Sequence, residues 1–148
     1  MNIYLGSDHN GFRLKGAIKG YLIKNNFVVE DDGDDILDPV DDFPIFAGKV
    51  VNAVLSSDDK EARGVLICGS GQGMCMAANR YKGIRACLAW DIESARSSRN
   101  DDDSNIICIP ARILKDEKAY IILKTWLNTP FAAAPRFIRR LNEMDELI

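Results

Sequence analysis

Residues Cys68 to Met74 read CGSGQGM, a cysteine followed by three alternating glycines. Glycine permits positive φ and lets an anion approach the backbone closely. With a helix opening near Gly71, the N–H groups of Gly69, Ser70, Gly71, Gln72 and Gly73 and the helix dipole face whatever negative group lies there. A cysteine at the mouth of such a helix is favoured as thiolate, a base or a nucleophile. Two plainer readings stand beside this one: a tight strand–helix turn without a ligand, and a small core cysteine closing an apolar strand. The turn differs from a dinucleotide fingerprint, because it follows the third strand rather than the first and no acidic residue ends the next strand.

Asp8 and His9 form a second constellation. His9 is the only histidine of the chain. It stands where the first apolar run ends, beside an aspartate, a position suited to proton transfer or ligand binding. Asp8 has an alternative use as a cap on the following helix. Arg112, Arg136, Arg139 and Arg140 are guanidinium forks that suit phosphate, with solvated surface arginine as the alternative for any one of them. The aspartate-rich runs 31–42 and 101–103 read as solvated loops, and neither has the glycine and terminal glutamate of a calcium loop. Cys75, Cys87 and Cys108 read as core.

The elements that must position these residues alternate along the chain. β-type runs cover residues 2–7, 27–30, 64–68, 84–89 and 106–109. Helical spacing covers 11–24, 46–55, 71–81, 91–99 and 115–127, and another helix follows Pro135. GVLIC and IICI are apolar on both faces, as strands of a parallel sheet covered by helices must be. The expected fold is α/β: a three-layer Rossmann-like open parallel sheet of five strands with helices on both faces. Ligands of such sheets bind beyond the carboxyl ends of the strands, where Asp8, His9 and the glycine turn fall. Residues 101–103 precede the fifth strand and do not fit that rule.

The 148 residues, 47% hydrophobic with a formal charge of −3, argue for a single domain, 1–148. An acidic chain is a poor candidate for nonspecific nucleic-acid binding. No apolar run reaches the length of a membrane span, and the start lacks the pattern of a signal peptide. Four cysteines without a CxxC argue against a disulfide framework and against zinc, and place the chain in a reducing cytoplasm. The apolar stretch 131–135 followed by Arg136, Arg139 and Arg140 suggests that a segment from about residue 130 to 148 reaches a partner subunit. The alternative is a terminal helix packed on its own subunit.

Taken in order, SDHNG (7–11) with Leu14–Lys15, DFP (42–44), GVLICGSGQGM with AANR (77–80), GIRA (83–86), the segment 99–105, PAR ending at Arg112, and RFIRR (136–140) resemble the type B ribose-5-phosphate isomerases. That superfamily also holds the galactose-6-phosphate isomerase subunits. The resemblance runs over nearly the whole chain. It implies a homodimer or dimer of dimers with shared active sites. The implied reaction is aldose–ketose isomerisation of a sugar phosphate through a cis-enediolate, in carbohydrate metabolism such as the pentose phosphate pathway, with no cofactor and no metal.

In that resemblance Cys68 matches the catalytic base. Some members use a glutamate at the position of Met74, so here Cys68 is the only candidate of the two. Gly69 to Gly73 match the anion hole for the enediolate, a place where fixed donors meet developing charge. Ser70 matches a hydroxyl residue near the thiol, Asp8 and His9 match substrate-binding residues, and Arg112, Arg136 and Arg140 match the phosphate clamp. The chain departs from the family pattern at Asp101, where a ring-opening histidine is usual, and at Asp102, where a substrate-binding asparagine is usual. Phe43 and Phe137 replace a tyrosine and a histidine. Asp101 is the candidate for the missing histidine's role. The competing expectations are a noncatalytic phosphosugar-binding paralogue or partner subunit and, less consistent with the glycine turn, a dinucleotide-binding oxidoreductase.

Overall fold

The computed structural model describes residues 1–148. Five strands, β1 (Asn2–Ser7), β2 (Val28–Asp31), β3 (Arg63–Cys68), β4 (Ala86–Leu88) and β5 (Ile106–Pro110), build the sheet. Helices α1 (Phe12–Lys24), α2 (Phe43–Ser56), α3 (Gln72–Ala78), α4 (Ile92–Asn100) and α5 (Asp116–Asn128) follow the strands in turn, and α6 (Pro135–Asp145) comes last. Every strand pair is parallel, in the order β2-β1-β3-β5-β4. This is the expected Rossmann-like sheet with helices on both faces.

Side chains alternate across a strand, and the central strands are apolar on both sides. Ile3, Leu5, Val65, Ile67, Ile107 and Ile109 pack with Leu14 and Ile18 of α1 and Ile122 and Trp126 of α5. Tyr4, Leu66, Cys68, Ile106 and Cys108 pack on the other face with Phe46 and Val50 of α2 and Met74 of α3. Cys68 thereby belongs to the face covered by α2 and α3. Local signals fix the helix starts. Pro44 opens α2 in its first turn, where a missing N–H costs nothing. Asp91 and Ser94 form a capping box on α4, with Ser94 N–H donating to Asp91 Oδ1 at 2.7 Å.

Several expectations need correction. The helix expected from residue 46 starts at Phe43, because Pro44 suits the first turn. The strand expected over 84–89 shrinks to Ala86–Leu88: the N–H of Arg85 is taken by Asn105 Oδ1 at 2.9 Å. Cys75 and Cys87 are half-buried rather than core, since α3 and the short edge strand β4 leave their flanks open. The aspartate runs are not simply solvated. Asp31 holds the buried Lys15 at 2.8 Å and Lys19 at 3.2 Å. Asp103 bridges Arg85 at 2.9 Å and Arg99 at 2.7 Å. In both runs a carboxylate meets a cation from a neighbouring element, which the local sequence does not show.

Beyond α5 the chain turns back along α4, where Ala132 N–H donates to Asn100 O at 3.0 Å. α6 then lies along no other helix or strand to any extent. Phe137 is its one buried residue, and Ile138 and Met144 stay exposed.

Candidate active site

The strand order places a switch point between β1 and β3. From β1 the chain leaves for β2 on one side, and β3 lies on the other. The crevice beyond their carboxyl ends is where such sheets take ligands. Asp8, His9 and Asn10 follow β1, Cys68 ends β3, and Ala111 and Arg112 follow β5. The register sets Ser7 beside Ile67 and Cys68 beside Pro110, so these segments share one edge.

Two glycines bring the segments together. A methyl group on Gly11 would stand 2.4 Å from the carbonyl oxygen of Ile67, so only glycine lets the first turn sit directly on β3. Gly71 adopts φ +74, the left-handed conformation that turns the chain into α3. There its N–H donates to Cys68 Sγ at 3.1 Å. Cys68 is 5% exposed. Gln72 N–H donates to Ser70 Oγ at 3.3 Å. The backbone N–H groups of Ser70, Gly73 and Met74 have no acceptor within the chain. The turn therefore presents unsatisfied donors beside a buried sulfur, an arrangement suited to hold an anion.

Arg112 lies across Gly69: a methyl group there would be 2.8 Å from the guanidinium carbon. Its N–H also donates to Gly69 O at 3.0 Å, and Nη2 reaches Asn10 Oδ1 at 3.3 Å. Asn10 Nδ2 is 3.2 Å from His9 Nε2. His9 Nδ1 is 2.6 Å from Asp41 Oδ1. The hydrogen bond to Asp41 holds the imidazole above its ordinary value, with Asp8 and Asp38 adding and desolvation opposing. Asp8 is buried and accepts the Gly11 N–H at 3.1 Å, so it ties down the turn before α1. Phe43 lies on Gly73, where an added methyl would meet its ring at 2.8 Å.

One chain thus gathers Asp8, His9, Cys68, Gly69, Ser70, Gly71, Gln72, Gly73 and Arg112. It does not bring Asp101, Asp102, Arg136 or Arg140 to them. Asp101 and Asp102 lie between α4 and β5, at the opposite edge of the sheet, and Asp101 N–H is bonded to Ser97 O at 2.9 Å. Arg140 of α6 lies close enough to favour the charged form of Asp102, while burial and Asp101 push that carboxyl up. Asp101, Asp102 and Arg140 thus form a second group, and Arg136 lies one turn before Arg140 on α6. Asp41 carries no local signal as a partner of His9: it lies 32 positions away, and no pattern links the two. No three His, Cys, Asp or Glu side chains converge where they could share a metal ion, and no helix is long and apolar enough to cross a membrane.

Comparison with known proteins decides the family. Residues 3–144 match the family described as Ribose/Galactose Isomerase. The chain belongs to that family. A probable ribose-5-phosphate isomerase B of Mycoplasma genitalium is 37% identical over 97% of this chain and 93% of its own. The structure of ribose-5-phosphate isomerase B from Mycoplasma genitalium with bound ribulose 5-phosphate superposes with a TM-score of 0.92 at 35% identity, covering 99% of this chain and 95% of that one. A D-erythrulose-4-phosphate isomerase of Pectobacterium atrosepticum is 34% identical over 88% of this chain and 85% of its own. Membership in the ribose/galactose isomerase family makes the chain an aldose–ketose isomerase.

Proposed function

We propose that the chain interconverts the aldose and ketose forms of a small sugar phosphate, with Cys68 as the base, in sites that two copies complete together. The observation that carries this is the pairing of Cys68 Sγ with the Gly71 N–H at 3.1 Å, at the switch point and beside the unsatisfied N–H groups of Ser70, Gly73 and Met74. The thiolate takes the carbon-bound proton next to the carbonyl. The cis-enediolate oxygens then face the glycine turn, where the donors already point. The same sulfur returns the proton to the neighbouring carbon, the hydroxyl proton passes from one enediolate oxygen to the other, and the ketose results.

Arg112 contributes a guanidinium to the phosphate from the Cys68 side. Arg136 and Arg140, on an arm that buries only Phe137 against its own chain, supply the others from a second copy, together with Asp101 and Asp102. A chain that merely bound phosphosugars would have no use for a sulfur so placed. The four free cysteines suit a reducing cytoplasm.

Two sugars compete as substrate. Ribose 5-phosphate is favoured by the relatives named for it. A four-carbon sugar phosphate is favoured by the D-erythrulose-4-phosphate isomerase relative and by Asp101, a carboxylate where a ring-opening histidine is usual. The four-carbon aldose 4-phosphate has no free hydroxyl with which to close a furanose, so it needs no ring opening. The test is an isomerisation assay of purified protein on ribose 5-phosphate, ribulose 5-phosphate and erythrose 4-phosphate, run beside Cys68→Ala. Turnover of none of the three, or equal turnover by both proteins, removes the proposal.

A further inference from the structure

We propose that the cavity walled by Arg63, Arg85 and Arg99, at the edge of the sheet opposite Cys68, binds the phosphate of a small phosphorylated organic molecule. The proposal does not depend on the isomerase reading, and the cavity lies away from Cys68, beside the turn that carries Asp101 and Asp102. The cavity has a volume of about 570 Å³, within the range that holds small-molecule ligands.

Its walls hold more buried positive charge than the chain neutralises. Arg63 is 8% exposed and Arg99 is 6% exposed, and guanidinium burial is costly unless the charge is matched. Lys60 joins the three arginines, and Asp59, Glu61 and Asp103 are the carboxylates among the lining residues. Asp103 is divided between Arg85 and Arg99. Asp59 spends its oxygens on the backbone N–H groups of Asn2 at 2.7 Å and Glu61 at 2.9 Å. Glu61 is 67% exposed at the side chain and meets Arg63 only at the rim, at 3.1 Å. Burial lowers the Arg63 pKa, and the nearby charge of Arg99 lowers it further. An anion in the cavity would relieve both.

The donors are free to receive it. Arg63 uses Nη1 on Ala62 O and Nη2 on Glu61. Arg85 uses Nε and Nη2 on Asp102 and Asp103. Arg99 uses Nε and Nη1 on Thr129 O, Asp103 and Ser104 O. That leaves Arg63 Nε, Arg85 Nη1 and Arg99 Nη2 without a protein acceptor, and none of them is sealed from open space. Fork donors from several sides suit the oxygens of a phosphate. Val54, Leu55, Pro130 and Phe131 add an apolar wall that a bare anion would not use, which points to an ester. An occupant would share Arg85 and Arg99 with Asp103, which sits at φ +47 in the turn that carries Asp101 and Asp102.

The probes are phenyl phosphate and inorganic phosphate, titrated calorimetrically into wild type and Arg63→Met. Methionine replaces a buried cation by an apolar chain of similar reach, a change that folded proteins tolerate well. Phenyl phosphate should occupy one more site per chain in wild type than in the variant. It should bind there about tenfold tighter than inorganic phosphate, because its ring is buried on the apolar wall. Wild-type crystals soaked with phenyl phosphate give the same answer without any variant: density should lie among the three guanidinium groups. Equal stoichiometry in both proteins, an empty cavity in the soaked crystals, or equal affinity for the two probes overturns the proposal. So does a change of oligomeric state in Arg63→Met without loss of a phosphate site, which would assign the cavity to a contact between subunits.

Discussion

A single carboxylate oxygen of Asp41 accepts two hydrogen bonds from His9, one from the backbone N–H at 2.9 Å and one from Nδ1 at 2.6 Å. Asp41 is 8% exposed at the side chain, while the imidazole it holds is 33% exposed. The pair fixes Nδ1 as the donor and turns Nε2 toward Asn10, which in turn meets Arg112.

The His9 titration should therefore have its midpoint above the ordinary value of about 6.5, and Asp41→Asn should bring it down. A raised folded value means that the pair stabilises the fold fully below the unfolded value and loses this as pH rises through the folded one. The stability gap between wild type and Asp41→Asn should narrow in that direction. As His9 is the only histidine, one imidazole resonance reports the result. A midpoint that stays put in Asp41→Asn would show that the pair does not form in solution.

Cys68→Ala should keep its fold and lose isomerase activity by a factor of about 100 or more, the usual size of general-base loss. The residue loses one buried sulfur, the acceptor of the Gly71 N–H, so the thermal midpoint should fall modestly while the chain still folds. Near-wild-type kcat in the alanine protein would remove Cys68 from the proton transfer.

Asp32 gives a pH-dependent stability prediction. Its Oδ2 is buried without a partner. Burial, then Glu30 and Asp31, push its pKa up to about 6 against the pull of Lys49. A carboxyl raised in the fold destabilises progressively as pH climbs from its unfolded value near 3.8 through about 6. Asp32→Asn should then raise the thermal midpoint at pH 8 and change it much less at pH 4.5. An equal shift at both pH values would mean that the charge of Asp32 is not the cause.

The proposed division of the site between two copies has its own test. Cys68→Ala and Arg140→Ala, each inactive alone, should regain activity when unfolded together and refolded as a mixture. About half of randomly assorted dimers pair one chain of each kind and hold one intact site, so about a quarter of wild-type activity should return. A mixture as inactive as its components would place both residues in the same chain's site, and an active Arg140→Ala protein would exclude Arg140 from it.

Much of this was legible in the sequence because it rests on short-range pattern. The doubly apolar runs at β3 and β5 announce a parallel sheet covered on both faces, and the alternating glycines after Cys68 announce the turn that presents its N–H groups. What stayed hidden depends on contacts between distant segments. Asp41 looks like one more aspartate of an acidic loop until the fold sets it against His9. Asp31 and Asp103 looked solvated for the same reason. Arg63, Arg85 and Arg99 sit at the start of a strand, before another, and at the end of a helix, so no spacing reveals that they share a cavity. The resemblance supplied Asp101, Arg136 and Arg140 as site residues, but only the topology shows that one chain cannot bring them to Cys68.

Asp101 should govern the form of sugar that the protein can use. The residue ends α4, with its backbone N–H on Ser97 O and Oδ1 at 2.7 Å from Asn100 Nδ2. An imidazole that titrates near 6.5 can hand a proton to a ring oxygen at neutral pH, which an ordinary carboxylate is poorly fitted to do. With no such acid, the protein takes only the open-chain aldose, and the supply of that form limits the reaction. At high protein concentration the rate on ribose 5-phosphate should reach a plateau set by spontaneous ring opening, after a burst that consumes the open-chain pool. Erythrose 4-phosphate cannot close a furanose, so any turnover of it should stay proportional to protein. Asp101→His should lift the plateau on ribose 5-phosphate and leave the four-carbon sugar unchanged. Comparing the two sugars across a protein titration separates ring opening from the carbon-acid step, because only the first depends on the ring. A wild-type rate on ribose 5-phosphate that keeps rising in proportion to protein would show that some group, Asp101 or another, already opens the ring.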